Sequence, residues 1–160
     1  MMDFTTLAEK SILDETQSYA DKNSTCAKVR VGSTIIVKGS KPIRGANHGV
    51  NNCKKNGCRR IKLYGNASKE HRLPSDCDSI HSEVDAICKA AKSGVKLEGA
   101  AIYVTRYPCE ACARAIAASG IKKVVYGRNE IISPYTALIL SAENVEVIHR
   151  ADWQREDNNE

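Results

Sequence analysis

The second half of the sequence alternates short apolar runs with amphipathic segments, and this order restricts the chain to an α/β fold. Residues 100–106 and 123–126 are predicted to be strands, and residues 109–119 between them a helix. A short helix at 134–142 then leads to a last strand at 145–150. Because a strand, a crossover helix and a further strand form a parallel unit, we expect the last two strands to lie parallel.

The first half supplies a helix, two strands and a long irregular segment. Residues 3–22 carry apolar side chains at helical spacing, and residues 29–37 and 42–46 are typical of strands. Residues 47–80, rich in Asn, Lys, Gly, Cys and Ser, contain no recognisable regular element, and a segment of this length needs something to hold it. A helix is predicted at 81–93. Helices that alternate with strands in this way pack in layers on a sheet.

Length and composition favour one domain that spans residues 1–160 and stays in solution. A chain of 160 residues has the usual size of a single domain, and residues 152–160 are typical of a polar tail. The N-terminus lacks the basic and apolar regions of a signal peptide, and no apolar run approaches the ~18 residues of a membrane span. We therefore expect a cytoplasmic protein without membrane contact.

The charge of the chain favours a small anionic ligand over a polynucleotide. The net charge is +5, from 24 Lys and Arg against 19 Asp and Glu. Proteins that bind single strands combine a basic channel with stacking aromatic side chains. Here the basic residues are dispersed, apart from those in 53–62, and the aromatics are one Phe, one Trp and six Tyr. We therefore expect no nucleic-acid partner.

Seven cysteines in a cytoplasmic chain point to metal binding or catalysis rather than to disulfides. Cys109 and Cys112 form a Pro-Cys-x-x-Cys motif at the start of the helix predicted at 109–119. Their spacing places both thiols on one face of the first turn, where the positive helix end lowers a thiol pKa. The pair is consistent with a redox dithiol, a structural zinc knuckle or half of a catalytic metal site. Cys88, by contrast, is predicted to be a small core residue.

His81 and Glu83 favour the catalytic metal site. A catalytic zinc ion takes three protein ligands and leaves one position open, and His81 can join Cys109 and Cys112 as the third ligand. Glu83 lies two residues further along a helix, so it faces another direction and can transfer protons at the open position, where zinc lowers the pKa of bound water toward ~7. H-x-E followed by P-C-x-x-C is the signature of zinc deaminases. A redox dithiol would explain neither His81 nor Glu83, although each alone could be a helix-terminal residue without catalytic function.

Around these residues the sequence resembles the deoxycytidylate (dCMP) deaminases of the cytidine deaminase-like superfamily, most of all their bacterial competence-operon and phage members. The resemblance rests on the stretches "STCAKVRVGSTIIV", "GANHGVNNC", "SKEHR", "IHSEVDAI", "IYVTRYPCEACARAIAASGIK" and "SPYTALILSAENVEV". It implies a three-layer α/β/α cytidine deaminase-like fold with a mixed five-stranded sheet. It also implies deamination of dCMP to dUMP and ammonia by attack of zinc-bound hydroxide at C4 of cytosine. His81, Cys109 and Cys112 would hold this zinc, and Glu83 would act as general acid and base.

The same resemblance implies contacts with the substrate and a few departures from the family pattern. Asn47 matches an asparagine that contacts the sugar, and Lys28, Arg30 and Tyr135 fall near positions that could meet the 5′-phosphate. The family's usual Gly-Tyr-Asn-Gly stands here as residues 45–48, "GANH".

Two further departures follow His81. The alanine of the family's His-Ala-Glu motif is Ser82, and the asparagine common two residues after the glutamate is Asp85. Both changes bear on the polarity of the pocket.

A second zinc ion would explain how residues 47–80 are held. A zinc ion bound tetrahedrally by three cysteines and one histidine could join this segment to the core. The resemblance to phage-type dCMP deaminases implies a structural zinc ion held from corresponding positions. The candidates are Cys26, Cys53, His71 and Cys77, with Cys58 as the rival for the fourth position. The alternative is a set of buried thiols beside an exposed histidine.

Other functions stay open at this point. Within the same chemistry, the substrate could be a modified cytidylate, a free nucleoside or a nucleobase. From a different class, the chain could be a non-catalytic zinc scaffold that binds nucleic acid, although a structural zinc site has no need of Glu83. Because the relatives are oligomeric, we also expect a homo-oligomer that takes a small nucleotide as its substrate.

Overall fold

The computed structural model describes residues 4–65, 76–129 and 133–153. Within these ranges the helices and strands are α1 (Phe4–Asn23), β1 (Gly32–Ile36), β2 (Ile43–Ala46), α2 (Cys53–Asn56), α3 (Arg59–Tyr64), α4 (Ser82–Lys92), β3 (Ala101–Arg106), α5 (Glu110–Ala118), β4 (Lys123–Arg128), α6 (Pro134–Ala142) and β5 (Glu146–His149). None of the helices described is long and apolar enough to cross a membrane.

The five strands form one mixed sheet in the order β2-β1-β3-β4-β5. β1 runs antiparallel to both β2 and β3, whereas β3, β4 and β5 run parallel. The predicted mixed five-stranded sheet, with its last two strands parallel, is therefore confirmed. Because parallel strands end at one edge of a sheet, the loops after β3 and β4 lie side by side, and the Tyr107 amide donates a 2.7 Å hydrogen bond to the Arg128 carbonyl.

Helices cover both faces of this sheet, so the fold has three layers. Alternate residues of a strand point to opposite faces. On one face, Ile102 and Val124 belong to the core that also contains side chains from α4, α5 and α6. On the other face, Tyr103 and Val125 pack with α1 and with Trp153. The predicted α/β/α architecture follows from this alternation.

The prediction that residues 47–80 contain no regular element is wrong in its first half. Two short helices, α2 and α3, lie within it. The Asn52 side chain caps α2 by accepting a hydrogen bond from the Lys55 amide, and glycines with positive φ follow both helices, Gly57 at 81° and Gly65 at 55°. Helices of four and six residues are too short to show an apolar period, which is why the sequence pattern missed them.

Three smaller expectations also need correction. The first strand begins at Gly32 rather than at residue 29. Cys88, predicted to be in the core, is exposed. The predicted polar tail contains Trp153, which is only 5% exposed and donates a 2.9 Å hydrogen bond from its indole N–H to Asp14; residues 154–160 lie outside the described residues.

Candidate active site

The two predicted metal-binding motifs lie at the N-termini of neighbouring helices. His81 immediately precedes α4 and Cys109 immediately precedes α5, both in extended backbone with φ of −70° and −73°. Cys112 lies in the first turn of α5 and is buried. The carbonyl of Pro108 accepts a 3.1 Å hydrogen bond from the buried Thr136 hydroxyl. Helix α6 therefore fixes the turn that carries both cysteines.

The three predicted zinc ligands form one tight group. His81 Nδ1 lies 3.5 Å from Cys109 Sγ and 3.4 Å from Cys112 Sγ, and the three atoms lie within 4.8 Å of one another. Tetrahedral zinc, with Zn–S near ~2.3 Å and Zn–N near ~2.0 Å, holds its nitrogen and sulfur ligands about 3.5 Å apart. Among the described residues, no other set of three His, Cys, Asp or Glu ligand atoms comes this close. The donor atoms and their spacing fit zinc.

Proton sharing within the group prepares a thiolate. The pKa of Cys109 is lowered to about 3, chiefly by a hydrogen bond from Cys112 and then, against the effect of burial, by one from His81. The same bond and burial raise the pKa of Cys112. The pKa of His81 is raised, first by its hydrogen bond to Cys109, and burial opposes this rise. At least one sulfur is therefore ready to bind a metal at neutral pH.

Glu83 lies buried beside the metal-binding group, with 4% of its surface exposed. Burial raises the pKa of its carboxyl group, as suits a residue that both accepts and releases a proton. The Ser82 hydroxyl donates a 3.2 Å hydrogen bond to Glu83 Oε2. Ser82 Oγ also lies 2.6 Å from Ser33 Oγ in β1, and both serines are fully buried. A chain of side chains thus joins the first strand to the carboxylate.

Sequence reasoning assigned no function to these serines. Ser82 stood out only as a departure from the family's alanine, and Ser33 belongs to no chemical motif. The departure at Ser82 was the one indication available, because the contact between β1 and α4 depends on the fold.

The metal-binding group opens into a cavity of about 700 Å³, which is lined by His81, Glu83, Cys109 and Asn47, among others. This volume lies within the ~300–1,000 Å³ that small-molecule sites usually have. The predicted metal, acid–base and sugar-binding residues thus share one cavity.

The predicted phosphate contacts do not line this cavity. Lys28 and Arg30 are exposed, whereas the alternate residues Val29 and Val31 form part of the lining. Tyr135 is 63% exposed and is likewise not among the described lining residues. Their contact with a phosphate stays a prediction that their positions do not support.

Three arginines that sequence reasoning did not select line the cavity instead. They come from different elements: Arg60 from α3, Arg106 from the end of β3 and Arg114 from α5. The basic run at 53–62 pointed to Arg60 only as part of a charged segment. The sequence could not show that Arg60 shares a cavity with the predicted metal-binding residues.

Asn47 lines the cavity and also forms hydrogen bonds that hold the neighbouring backbone. Its Oδ1 accepts hydrogen bonds from the Ser24 hydroxyl at 2.7 Å and from the Val31 amide at 2.9 Å. Its Nδ2 donates to the Val29 carbonyl at 2.8 Å. Nδ2 has a second hydrogen that can donate to a ligand. Asn47 therefore holds the chain before β1 and can still contact a sugar hydroxyl.

The remaining candidate thiols surround the first part of the 47–80 segment. The pKa of Cys53 is raised first by burial and then by the nearby thiols of Cys58, Cys26 and Cys77. The fourth predicted ligand, His71, lies outside the described residues. The structure thus brings four cysteines into one neighbourhood, although their sulfur atoms are less tightly grouped than the His81 set.

Comparison with known proteins agrees with this site. The cytidine and deoxycytidylate deaminase zinc-binding region matches residues 8–128. Deoxycytidylate deaminase of Schizosaccharomyces pombe is 33% identical over 137 residues, which cover 83% of this chain and 41% of the relative. ComE operon protein 2 of Bacillus subtilis is 34% identical over 128 residues, covering 78% and 61%. The chain thus spans only part of the length of these relatives.

Two phage proteins extend the comparison. Deoxycytidylate deaminase of enterobacteria phage T2 is 52% identical over a shorter stretch of 63 residues, 37% of this chain and 34% of the relative. The dCMP deaminase of cyanophage S-TIM5, solved in complex with dCMP and dUMP, superimposes with a TM-score of 0.65 at 23% identity, covering 93% of this chain and 99% of that one. At this identity the structural likeness supports the fold.

Proposed function

The chain belongs to the family that shares the cytidine and deoxycytidylate deaminase zinc-binding region, and we propose that it is a zinc-dependent hydrolase that converts dCMP and water to dUMP and ammonia. The observation that carries this proposal is the group formed by His81, Cys109 and Cys112, which opens with the buried Glu83 into one cavity. A purely structural zinc site would not need a buried carboxyl group beside it.

Zinc held by His81, Cys109 and Cys112 would supply Lewis-acid activation of water at neutral pH. Glu83 would take a proton from the attacking water and deliver protons to the cytosine ring nitrogen and to the leaving amine. In balance, a C4–O bond forms, the C4–N4 bond breaks and ammonia leaves. Ser82 would orient Glu83 through its hydrogen bond to Oε2.

The preference for dCMP rests on the relatives and on the polarity of the cavity. Several relatives are named deoxycytidylate deaminase. Asn47 would donate a hydrogen bond to the sugar, and the lining arginines suit a phosphorylated substrate over a neutral nucleoside.

The direct test is ammonia release from dCMP by the purified, zinc-loaded protein. We expect turnover with dCMP, weaker turnover with deoxycytidine and dCTP, and loss of turnover in His81→Ala. Cytosine, methylcytosine and their nucleosides and nucleotides should be screened alongside. Ammonia release from a methylated or free base but not from dCMP would contradict the proposed substrate.

We further propose a second, structural zinc ion on Cys26, Cys53, Cys77 and His71, with Cys58 as the alternative fourth ligand. Support comes from the surroundings of Cys53, whose pKa is raised first by burial and then by the nearby thiols of Cys58, Cys26 and Cys77. The Sγ atom of Cys26 also accepts two backbone N–H groups at 3.5 Å, from Lys28 and Val29, as a metal-bound thiolate does. Zinc analysis of the purified protein should give about two ions per chain.

A further inference from the structure

The outer edge of β2 is bonded by two side chains of α4. Within the described sheet β2 is an edge strand, so its outward backbone groups face α4 rather than another strand. The Asp85 carboxylate accepts a 3.1 Å hydrogen bond from the Ala46 amide. Lys89 donates to the Arg44 carbonyl at 3.0 Å and to Asp85 at 2.8 Å. The approach is close, because a Cβ atom added at Gly45 would lie 2.2 Å from a backbone oxygen of α4.

Asp85 also contacts the residue that follows Asn47. The Nε2 atom of His48 lies 3.1 Å from the other carboxylate oxygen of Asp85, so the carboxylate contacts the chain on both sides of Asn47. The His48 backbone pairs with Ile80, just before α4, through hydrogen bonds of 3.1 and 2.7 Å. Residues 46–48 are therefore held against the helix that carries the proposed acid–base residue.

The Asp85 carboxylate is buried and ionised, with 8% of the residue exposed. Burial alone would raise the pKa of this carboxyl group, but hydrogen bonds from Lys89, His48 and the Ala46 amide lower it below its ordinary value. A buried carboxylate that is bonded in this way resists displacement, because moving it would leave polar groups without partners. It therefore fixes the position of residues 46–48 relative to α4.

The contact between His48 and Asp85 joins two departures from the family pattern. His48 stands where that pattern has glycine, and Asp85 stands where it has asparagine. A glycine has no side chain, so a chain that follows the pattern cannot form this pair. Neither residue is among the described residues that line the cavity, whereas Asn47 is. The pair is thus placed to act on the substrate through Asn47.

We propose that Asp85 is a positioning residue, which together with His48 fixes Asn47 relative to the helix of Glu83 and so determines how Asn47 contacts the sugar of the substrate. This inference rests on the proposed deaminase function. The second amide hydrogen of Asn47 has to meet a sugar hydroxyl while the cytosine ring lies at the metal-binding group. A shift of residues 46–48 relative to α4 would prevent both contacts from forming at once.

The test compares dCMP with its 2′,3′-dideoxy analogue, which has no 3′-hydroxyl for Asn47 to contact. We expect Asp85→Ala to lower kcat/KM for dCMP about two- to tenfold, mainly through KM, because the hydrogen bond to the sugar is lost. The value for the dideoxy analogue should stay within about twofold of the wild type. Zinc content should not change.

His48→Ala is a second variant that does not disturb the core, since the His48 side chain is 39% exposed. It should cause the same selective loss with dCMP, but a smaller one than Asp85→Ala, because the Ala46 amide and Lys89 still bind the carboxylate. The double variant should be no worse than Asp85→Ala, because the two residues act through one contact.

Glu15→Gln is the matched control. Glu15 accepts a 2.9 Å hydrogen bond from the Arg44 side chain, so the substitution weakens another contact to β2, but one made at the exposed surface and not to the residues beside Asn47. It should leave kcat/KM for both substrates unchanged.

A loss that is equal for dCMP and the dideoxy analogue, or no loss with dCMP, would overturn the inference in either variant. If Asp85→Ala does not fold, His48→Ala decides. Calorimetry separates this failure from that of the proposed function, because it needs no turnover.

The wild type should bind dUMP more tightly than 2′,3′-dideoxyuridine monophosphate, and both variants should reduce that difference. Equal affinities in the wild type would overturn the inference. If the wild type released no ammonia from dCMP but showed the difference, and the variants reduced it, the deaminase proposal would fail and the positioning role would stand.

Discussion

At the scale of single residues, Glu83 has the largest number of proposed tasks, because we propose that it transfers every proton in the reaction. It is buried, its pKa is raised by that burial, and the Ser82 hydroxyl donates a hydrogen bond to its carboxylate. A carboxyl group in such surroundings exchanges protons close to neutral pH more readily than an exposed one.

Glu83→Gln should abolish turnover while zinc stays bound. The amide has nearly the same shape but can neither accept the proton of water nor pass it to the leaving amine. We expect kcat to fall by ~10²–10⁴ or more, measured as ammonia release, with the zinc content unchanged. A variant that keeps more than about a tenth of the wild-type rate would show that another group is the general acid and base.

Ser82→Ala tests whether the serine orients this carboxylate. The substitution introduces the residue that the family usually has at this position and removes the hydrogen bond to Oε2. Since such a bond contributes about 0.5–1.5 kcal/mol, we expect kcat to fall about two- to tenfold and KM to change little. Ser82→Thr, which keeps the hydroxyl, should recover part of the loss. A change in KM alone would assign Ser82 to the pocket wall instead.

At the scale of elements, the strand β3 and the helix α5 were predictable and the helices α2 and α3 were not. The strand β3 begins with four apolar residues, 101–104, and lies between two other strands, so local pattern and tertiary structure agree. The four residues of α2 and the six of α3 have no buried residues. The formation of these two helices depends on caps and on contacts with distant segments, and such features do not produce a sequence period.

The two cysteine groups should respond differently to substitution. Cys53→Ser should remove one zinc ion and lower the midpoint of thermal unfolding by about 5 °C or more, because metal binding there would contribute to folding. Cys109→Ser should lose the other zinc ion and all activity with little change in stability.

Cys88→Ser is the matched control, because Cys88 is exposed and outside both groups. It should keep zinc content, stability and activity. If zinc content is about one ion per chain and Cys53→Ser does not change it, the second metal site does not exist.

At the scale of the whole molecule, the metal-binding group lies on one face of the sheet. The ion pairs that join α1 to residues late in the chain lie on the other face. Glu9 in α1 is buried and forms ion pairs with Lys123, at 2.9 Å, and with Arg150. The motifs at His81 and Cys109 were predictable because zinc chemistry demands them. The Glu9 contacts were not, since their partners lie more than a hundred residues away and no spacing rule joins them.

Trp153 gives the sharpest test of this separation. Its ring packs on the sheet face with Leu13, Tyr103 and Val125, and a Cβ atom added at Gly127 would collide with that ring. Trp153→Ala should therefore cost about 3–5 kcal/mol of unfolding free energy, whereas Trp153→Phe should cost less because it keeps most of the packing.

Because the cavity lies on the other side of the sheet, both Trp153 variants should keep the wild-type kcat/KM for dCMP well below their unfolding temperature. Gly127→Ala should destabilise the wild type by about 1–3 kcal/mol through overpacking, but should cost much less in the Trp153→Ala background, where the ring is gone. Chemical denaturation of the wild type, Gly127→Ala, Trp153→Ala and the double variant measures this coupling. Additive losses would show that Gly127 and Trp153 do not share one packed site, and a loss of activity in folded Trp153→Ala would show that the two faces of the sheet are not independent.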